Sequence, residues 1–200
     1  VSTVSAPNAK QSNDDKRLTS GQITLGTTQE SQSIDARIAG IIRPLVINRD
    51  ERGSVRETFR DSWFGIPPIK QLVQSESKAG VMRAMHLHRR QYDVWHFTAG
   101  EAYVQLYTKD SEAPHAIWAK PDTTIVIPPL VAHGFYAPYG CTLVYALTEE
   151  YDGTDEFGFD ALDPDYPGSK MWPEPLASEA RDYIRSDRDR KAAKFRKFAW

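Results

Sequence analysis

Four side chains in this sequence have the types and spacing of a reactive centre: His86, His88, Asp93 and His133. His86 and His88 lie two apart in a β-prone run, so both imidazoles face the same side of a strand. Asp93 follows in the same segment, and His133 sits in the run Ile127 to Phe135, IPPLVAHGF. Three imidazoles and one carboxylate on an interior face suit Fe(II), Mn(II), Ni(II) or Zn(II). His86 can instead serve as a proton-transfer base, because unperturbed imidazole titrates near pH ~6.5. A nitrogen bound to a metal has no lone pair left for a proton, so the two roles exclude each other. The bland alternative, two core histidines satisfied by hydrogen bonds, must also account for Asp93 and His133. His96 falls out of register with Asp93 on the opposite strand face and reads as structural.

The segments that must hold these residues are short and β-prone. They are Gly40 to Ile47, Ile69 to Val73, Val94 to Phe97, Ala102 to Tyr107, Thr124 to Ile127 and Thr142 to Leu147, separated by turn residues such as Ala99-Gly100, Pro128-Pro129 and Tyr139-Gly140. Many short strands with no long helical period between them predict an all-β barrel or sandwich. With 200 residues, 40% apolar and 11% aromatic, the chain has material for one such domain. Residues 1–33 are polar and read as a mobile arm, 34–182 as the domain, and 183–200 as a charged tail. The stretch Ser178 to Lys197 is expected to be a surface helix, its Lys and Arg interleaved with Asp and Glu. A formal charge of −2 gives no electrostatic case for nucleic acid or a membrane surface. No run approaches the ~18 apolar residues of a bilayer span, and no secretory signal pattern opens the sequence, so a cytoplasmic location is expected. Cys141, beside Gly140 and an apolar run, reads as a buried, inert thiol.

Two resemblances sharpen this. The spacing Gly80, His86-Leu87-His88, Asp93, Gly100 resembles the first motif of metal-binding cupin barrels, with Asp in place of the usual Glu. Ile127 to Phe135 resembles the second motif, with Leu130 where that motif places glycine. Both imply a cupin, a double-stranded β-helix or jelly-roll barrel, here with a short C-terminal helical segment. The chain also resembles the dTDP-4-dehydrorhamnose 3,5-epimerase family. Asp50-Glu51-Arg52-Gly53 with Glu57 and Phe59, Gln71 with Ser75 and Ser77, and Arg83 to His86 follow the family's order. So do His133-Gly134-Phe135, Tyr145, Tyr151, Asp163-Pro164, Trp172-Pro173, Ser178 and Asp182.

This second resemblance implies a homodimeric cupin that acts on nucleotide-linked 4-keto-6-deoxyhexoses, without metal or other cofactor, in deoxysugar or polysaccharide biosynthesis. His86 would remove a proton beside the C4 ketone, Asp163 would pair with His86, and Tyr145 would return a proton to the opposite face. Arg52 and Arg83 match arginines that grip the diphosphate, where a planar bidentate donor is favoured. Glu57 and Gln71 match positions near the nucleotide, and His88, Asp93 and His133 fall in the substrate cleft. Asp93 stands where the family has a lysine beside the keto oxygen, Ala84 where it has glycine, and Val73 where it has asparagine. An ionised Asp93 opposes a developing oxyanion. The residues themselves therefore leave two alternatives beside the epimerase: a metal-dependent enzyme with His86, His88, Asp93 and His133 as ligands to one divalent transition metal, and a silent sugar-nucleotide-binding cupin. In a metal-free site Asp93 needs a neutralising partner, with Arg89, Arg90 or a protonated histidine as candidates.

Overall fold

The computed structural model describes residues 42–176 and 182–200; the polar arm assigned to 1–33 and the landmark Ser178 lie outside them. Strands form wherever β-branched and aromatic residues alternate with smaller or polar ones. The first sheet takes β1 (Ile42–Pro44), β4 (Gln71–Ser77), β6 (Asp93–Gly100), β9 (Thr123–Ile127) and β11 (Cys141–Leu147), in the order β1-β9-β6-β11-β4. The second takes β5 (Val81–Leu87), β7 (Ala102–Tyr107), β8 (His115–Ala119), β10 (Ala132–Ala137) and β12 (Phe157–Gly158), in the order β12-β5-β10-β7-β8. Every pairing is antiparallel. Successive strands alternate between the sheets through most of the chain, which is the jelly-roll expected from the sequence. β2 (Ile47–Asp50) and β3 (Gly53–Arg56) form a separate two-stranded hairpin. Among the described residues no helix is long and apolar enough to cross a membrane.

Two apolar clusters position the rest. Trp95, Phe97, Val104, Leu106, Ile125, Ile127, Phe135 and Leu143 belong to one cluster drawn from both sheets, with Phe59, Phe64, Ile66 and Ile69 packed against it. The second cluster collects Met82, Ala84, Met85 and Leu87 of β5 with Tyr107, Tyr136, Phe159, Tyr166, Trp172 and Tyr183. It lies under the C-terminal segment, so that segment is part of the folded unit. The surface helix expected over 178–197 is not what the described part of that stretch forms. Residues 182–200 run as an irregular strap, bridged at Val81–Ile184 and Phe159–Ala193, with one α-helical turn, α1 (Asp187–Arg190), and one 3-10 turn, Phe195–Lys197. Its apolar residues are spaced to drop onto the second sheet at intervals: Tyr183 packs edge-on against Tyr136, and Phe195, Phe198 and Trp200 meet Phe159. A helix would have turned the charged residues between them toward the sheet as well. Tyr183 is buried and the other three are half-buried, so each contributes up to about 1.5–3 kcal/mol, the value for full burial.

One irregularity decides what faces inward. From His133 to Phe135 β10 advances two residues, while its partner β5 advances three, from His86 to Arg83. Ala84 and Met85 together oppose Gly134, which is a β-bulge. Arg83 and His86, which strict alternation would send to opposite faces, consequently share one face. Gly134 is what makes room: a Cβ there would lie 2.3 Å from the Ala84 Cβ and 2.7 Å from its Cα. Gly134→Ala is expected to destabilise the protein by the roughly 1–3 kcal/mol typical of overpacking, lowering the melting temperature by several degrees. Adding Ala84→Gly should recover only part of the loss, because it removes the Cβ clash but leaves the Ala84 Cα at 2.7 Å and the Arg83 carbonyl oxygen at 2.9 Å; thermal melts of the single and double variants check this.

Candidate active site

Between the sheets a cavity of about 360 Å³ opens to the surface. Its first-sheet wall is alternate residues of two strands: Gln71, Val73 and Ser75 from β4, and Leu143, Tyr145 and Leu147 from β11. Its second-sheet wall holds Arg83 and His86, followed by His88, and then His133 and Phe135 from β10. Asp93 and Trp95 close the inner end, and Tyr151, Glu156 and Arg188 stand around the rim. The cavity thus brings together His86, Tyr145, Gln71, Arg83, His88, Asp93 and His133 of the residues picked from sequence.

His86 has a carboxylate partner, but it is not Asp163. His86 Nε2 lies 2.9 Å from Asp189 Oδ1 and 3.0 Å from Arg188 Nη2. A carboxylate only accepts and a guanidinium only donates, so the two compete for Nε2; in the tautomer that gives the Nε2 proton to Asp189, Nδ1 keeps the lone pair. Burial alone would raise the Asp189 carboxyl, but the His86 hydrogen bond and the charges of His86 and Arg188 outweigh it and hold the group below its ordinary value. Arg188 is anchored in turn by an ion pair with Glu156. Asp163 is buried elsewhere and serves the backbone: Oδ1 accepts from Asp165 N at 3.0 Å and Oδ2 from Phe195 N at 3.1 Å. It ties the strap to the turn before it. The physical reason for the mismatch is that an Asp-Pro pair makes a good turn, and the carboxylate is consumed in holding that turn.

Asp189 went unread because it sits in the run Ser186-Asp187-Arg188-Asp189-Arg190, which looks like a solvated face. One signal was available. Ser186 caps α1 by accepting from Asp189 N at 3.1 Å, and Ser-x-x-Asp is the sequence form of that cap. Other unforeseen residues include Gln91, Trp95 and Asp155. The Asp155 carboxylate takes the backbone N–H groups of Arg89 and Arg90, both at 2.9 Å, and its carbonyl takes His88 Nδ1–H at 2.6 Å. It fixes the loop that leads out of β5.

Asp93 is deep in the site. Oδ1 accepts from Gln91 Nε2 at 2.7 Å and Oδ2 from Trp95 Nε1 at 3.1 Å. Burial pushes its carboxyl up, against the pull of His88 and these two donors. Burial, and then the charge of His88, drive His133 well below the usual imidazole range, so it is neutral at neutral pH. The arginines expected to neutralise Asp93 go elsewhere. Arg89 reaches the Ala199 carbonyl and lies over the Phe157 ring, and Arg90 engages Asp152, Thr154 and Asp155. His88, Asp93 and His133 offer ligand atoms within 4.8 Å of one another, and His86 stands outside that group. The four-ligand metal site drawn from spacing is therefore at most a three-ligand one.

Tyr145 sits on the sheet opposite His86. Burial raises its hydroxyl pKa, helped by the charges of Asp93 and Glu156, so it carries its proton throughout the neutral range. Gln71 Oε1 accepts from Tyr151 N at 2.7 Å, and Arg83 Nε donates to Ser77 Oγ at 3.1 Å. Arg52 and Glu57 are not in this cavity. Arg52 is on the hairpin turn, 83% exposed and paired with Asp50, and Glu57 pairs with Arg60. His96 Nδ1–H donates to the Thr123 carbonyl, 3.2 Å away and outside the cavity, in keeping with a structural role. Burial raises the Cys141 thiol to about 11, so it is inert at neutral pH.

Comparison with known proteins agrees with this architecture. The family model for dTDP-4-dehydrorhamnose 3,5-epimerase matches residues 36–197. The spore coat polysaccharide biosynthesis protein SpsL of Bacillus subtilis is 29% identical over 141 residues, 66% of this chain and 86% of that protein. Among solved structures, RmlC epimerase of Mycobacterium tuberculosis is 24% identical with a TM-score of 0.69, covering 81% of this chain and 87% of that one. The Legionella pneumophila RmlC, solved with dTDP-4-keto-L-rhamnose, is 24% identical with a TM-score of 0.68 over 79% of this chain and 88% of its own. ChmJ, a 3'-monoepimerase of Streptomyces bikiniensis solved with dTDP-quinovose, is 22% identical with a TM-score of 0.67 over 76% and 82%. With a match over most of its length, the chain belongs to the dTDP-4-dehydrorhamnose 3,5-epimerase family of isomerases.

Proposed function

We propose that this protein epimerises a nucleotide-linked 4-keto-6-deoxyhexose in deoxysugar or polysaccharide biosynthesis. The observation that carries the reading is a carboxylate-paired imidazole, His86 with Asp189, facing a protonated phenol, Tyr145, across one cavity. A hydrogen beside the C4 ketone is acidic because its removal leaves an enolate. His86 Nδ1 takes that proton, and the Asp189 carboxylate stabilises the resulting imidazolium. Tyr145 delivers a proton from the other wall, so the carbon is rebuilt with opposite handedness. Acid and base must be different groups because they work on opposite faces of the ring. Arg83 on the second-sheet wall and Gln71 on the first suit the diphosphate and nucleotide. That the Legionella and Streptomyces relatives were solved with dTDP-sugars supports the substrate class. A nucleotide-activated substrate also favours a cytoplasmic location.

Assembly follows from the hairpin. Arg52 and Glu57 lie outside this chain's own cavity, and Val46 and Val55 beside them are 76% and 67% exposed. We infer a homodimer in which the β2–β3 hairpin packs on a second copy and brings Arg52 to the neighbour's cleft. Light scattering should then give twice the chain mass. Val55→Asp is expected to yield monomers with weakened nucleotide binding; a monomeric wild-type protein would end this part of the proposal.

The chemistry is tested by solvent deuterium incorporation into dTDP-4-keto-6-deoxyglucose. His86→Asn is expected to slow exchange by at least the ~10²-fold typical of a general base, with dTDP binding retained. Tyr145→Phe should still exchange but give little inverted product. Asp189→Asn is expected to slow exchange, whereas Asp163→Asn should lower the melting temperature and leave the rate per folded molecule nearly intact. Exchange at the wild-type rate in His86→Asn would remove the assignment.

A further inference from the structure

The inner end of the cavity holds three electron-pair donors that the proton-transfer scheme leaves unused. His88 gives its Nδ1–H to the Asp155 carbonyl at 2.6 Å, and His133 gives its own to the Val131 carbonyl at 2.9 Å. In its neutral form each ring therefore presents Nε2 as a bare lone pair. The two Nε2 atoms stand 4.0 and 3.9 Å from a single oxygen, Asp93 Oδ2. Those separations are too long for hydrogen bonds. The protons that Asp93 does receive come from Gln91 and Trp95, which hold its carboxylate in place. Among the described residues no lysine or arginine pairs with Asp93. Three acceptors thus converge on one buried point with nothing positive between them.

That is the arrangement of a metal site with its supporting hydrogen bonds in place. A ligating histidine commonly gives its other ring N–H to a carbonyl or carboxylate, which fixes both tautomer and direction. Here both histidines do so, and the carboxylate is steered by two donors. Atoms bound to one ion at about 2.0–2.2 Å lie roughly 3–3.6 Å apart at tetrahedral or octahedral angles. The pairs at 3.9 and 4.0 Å would close by only about half an ångström on binding.

We propose that His88 Nε2, His133 Nε2 and Asp93 Oδ2 bind one divalent first-row transition metal, with its open positions facing the cavity. Two imidazoles and a carboxylate favour Fe(II), Mn(II), Co(II), Ni(II) or Zn(II) over Mg(II) or Ca(II). His86 stays outside because its Nε2 is engaged by Asp189. An ion here turns Asp93 from an obstacle to an oxyanion into a support for one. A ketone oxygen in the open position would have its enolate charge stabilised by the ion. This last role rests on the epimerase reading; binding of the ion does not.

The test is a titration of chelator-stripped wild-type protein with cobalt(II) chloride, followed by visible absorption and calorimetry. One equivalent should bind with ligand-field bands of an imidazole-carboxylate site, and zinc chloride should displace it. Asp93→Asn and His133→Gln, with folding checked by circular dichroism, are each expected to weaken binding by 100-fold or more. His86→Asn should still bind one equivalent. No saturable cobalt binding by the wild-type protein would overturn the proposal, whatever the variants do. Binding unchanged in both ligand variants would overturn it too, by placing the ion elsewhere. Deuterium exchange by a wild-type protein that binds no metal would leave the epimerase reading standing, and metal binding without exchange would do the reverse.

Discussion

The bulge at Ala84–Met85 governs the whole site. Residues on a strand alternate between faces, so Arg83 and His86 would ordinarily look in opposite directions. One extra residue opposite Gly134 resets the alternation between them. Inside, the strand then offers Arg83, His86 and the following His88 to one cavity. Outside, Met82, Ala84, Met85 and Leu87 form a continuous apolar face. That outer face is what the C-terminal strap covers, and the strap brings Asp189 to His86. A single register shift therefore sets both the direction of His86 and the landing place of its carboxylate partner.

The cavity separates two carboxylates by environment. Asp189 has an imidazole and a guanidinium beside it and stays ionised, ready to steady an imidazolium. Deep burial favours the neutral form of Asp93, against the amide and indole donors that favour the ionised one. The same residue type does different work because its neighbours differ, a pattern common where acid and base roles must be divided. The clamp between the loops bearing His88 and His133 adds rigidity. Leu130 N donates to the His88 carbonyl at 2.7 Å, with Leu130 held at φ 64°.

Strand content, the shared face of His86 and His88, and the inward-facing residues of β11 were legible in the sequence, because alternation and turn residues are local signals, whereas Arg83 joins that face only through the bulge. His86, His88, His133 and Tyr145 could be placed on that basis together with the family likeness. Leu130 also made sense once seen: the motif puts glycine there, and the backbone is left-handed, a region glycine enters freely. What could not be read was which distant acid reaches His86. Asp189 is 103 residues away and arrives on an irregular segment with no period. Asp163 and Asp189 are equally plausible on paper, and only packing of the strap decides between them. The direction of Arg89 and Arg90 was hidden for the same reason, since both follow Asp155, Asp152 and the chain end rather than their own strand.

The strap has a further consequence for how the molecule fails on heating. It is joined to the barrel by two single bridges, a patch of aromatic rings and side-chain pairs such as Arg185–Asp160 and His86–Asp189, whereas the strands are laced by full ladders. Segments so attached open at lower free energy than a barrel core. Lifting the strap would leave both sheets paired but take Asp189 from His86 and expose the outer face of β5. The His86–Asp189 pair would thus be lost in a partial opening that far-ultraviolet spectroscopy scarcely registers, and the protein would become sticky before it became unfolded.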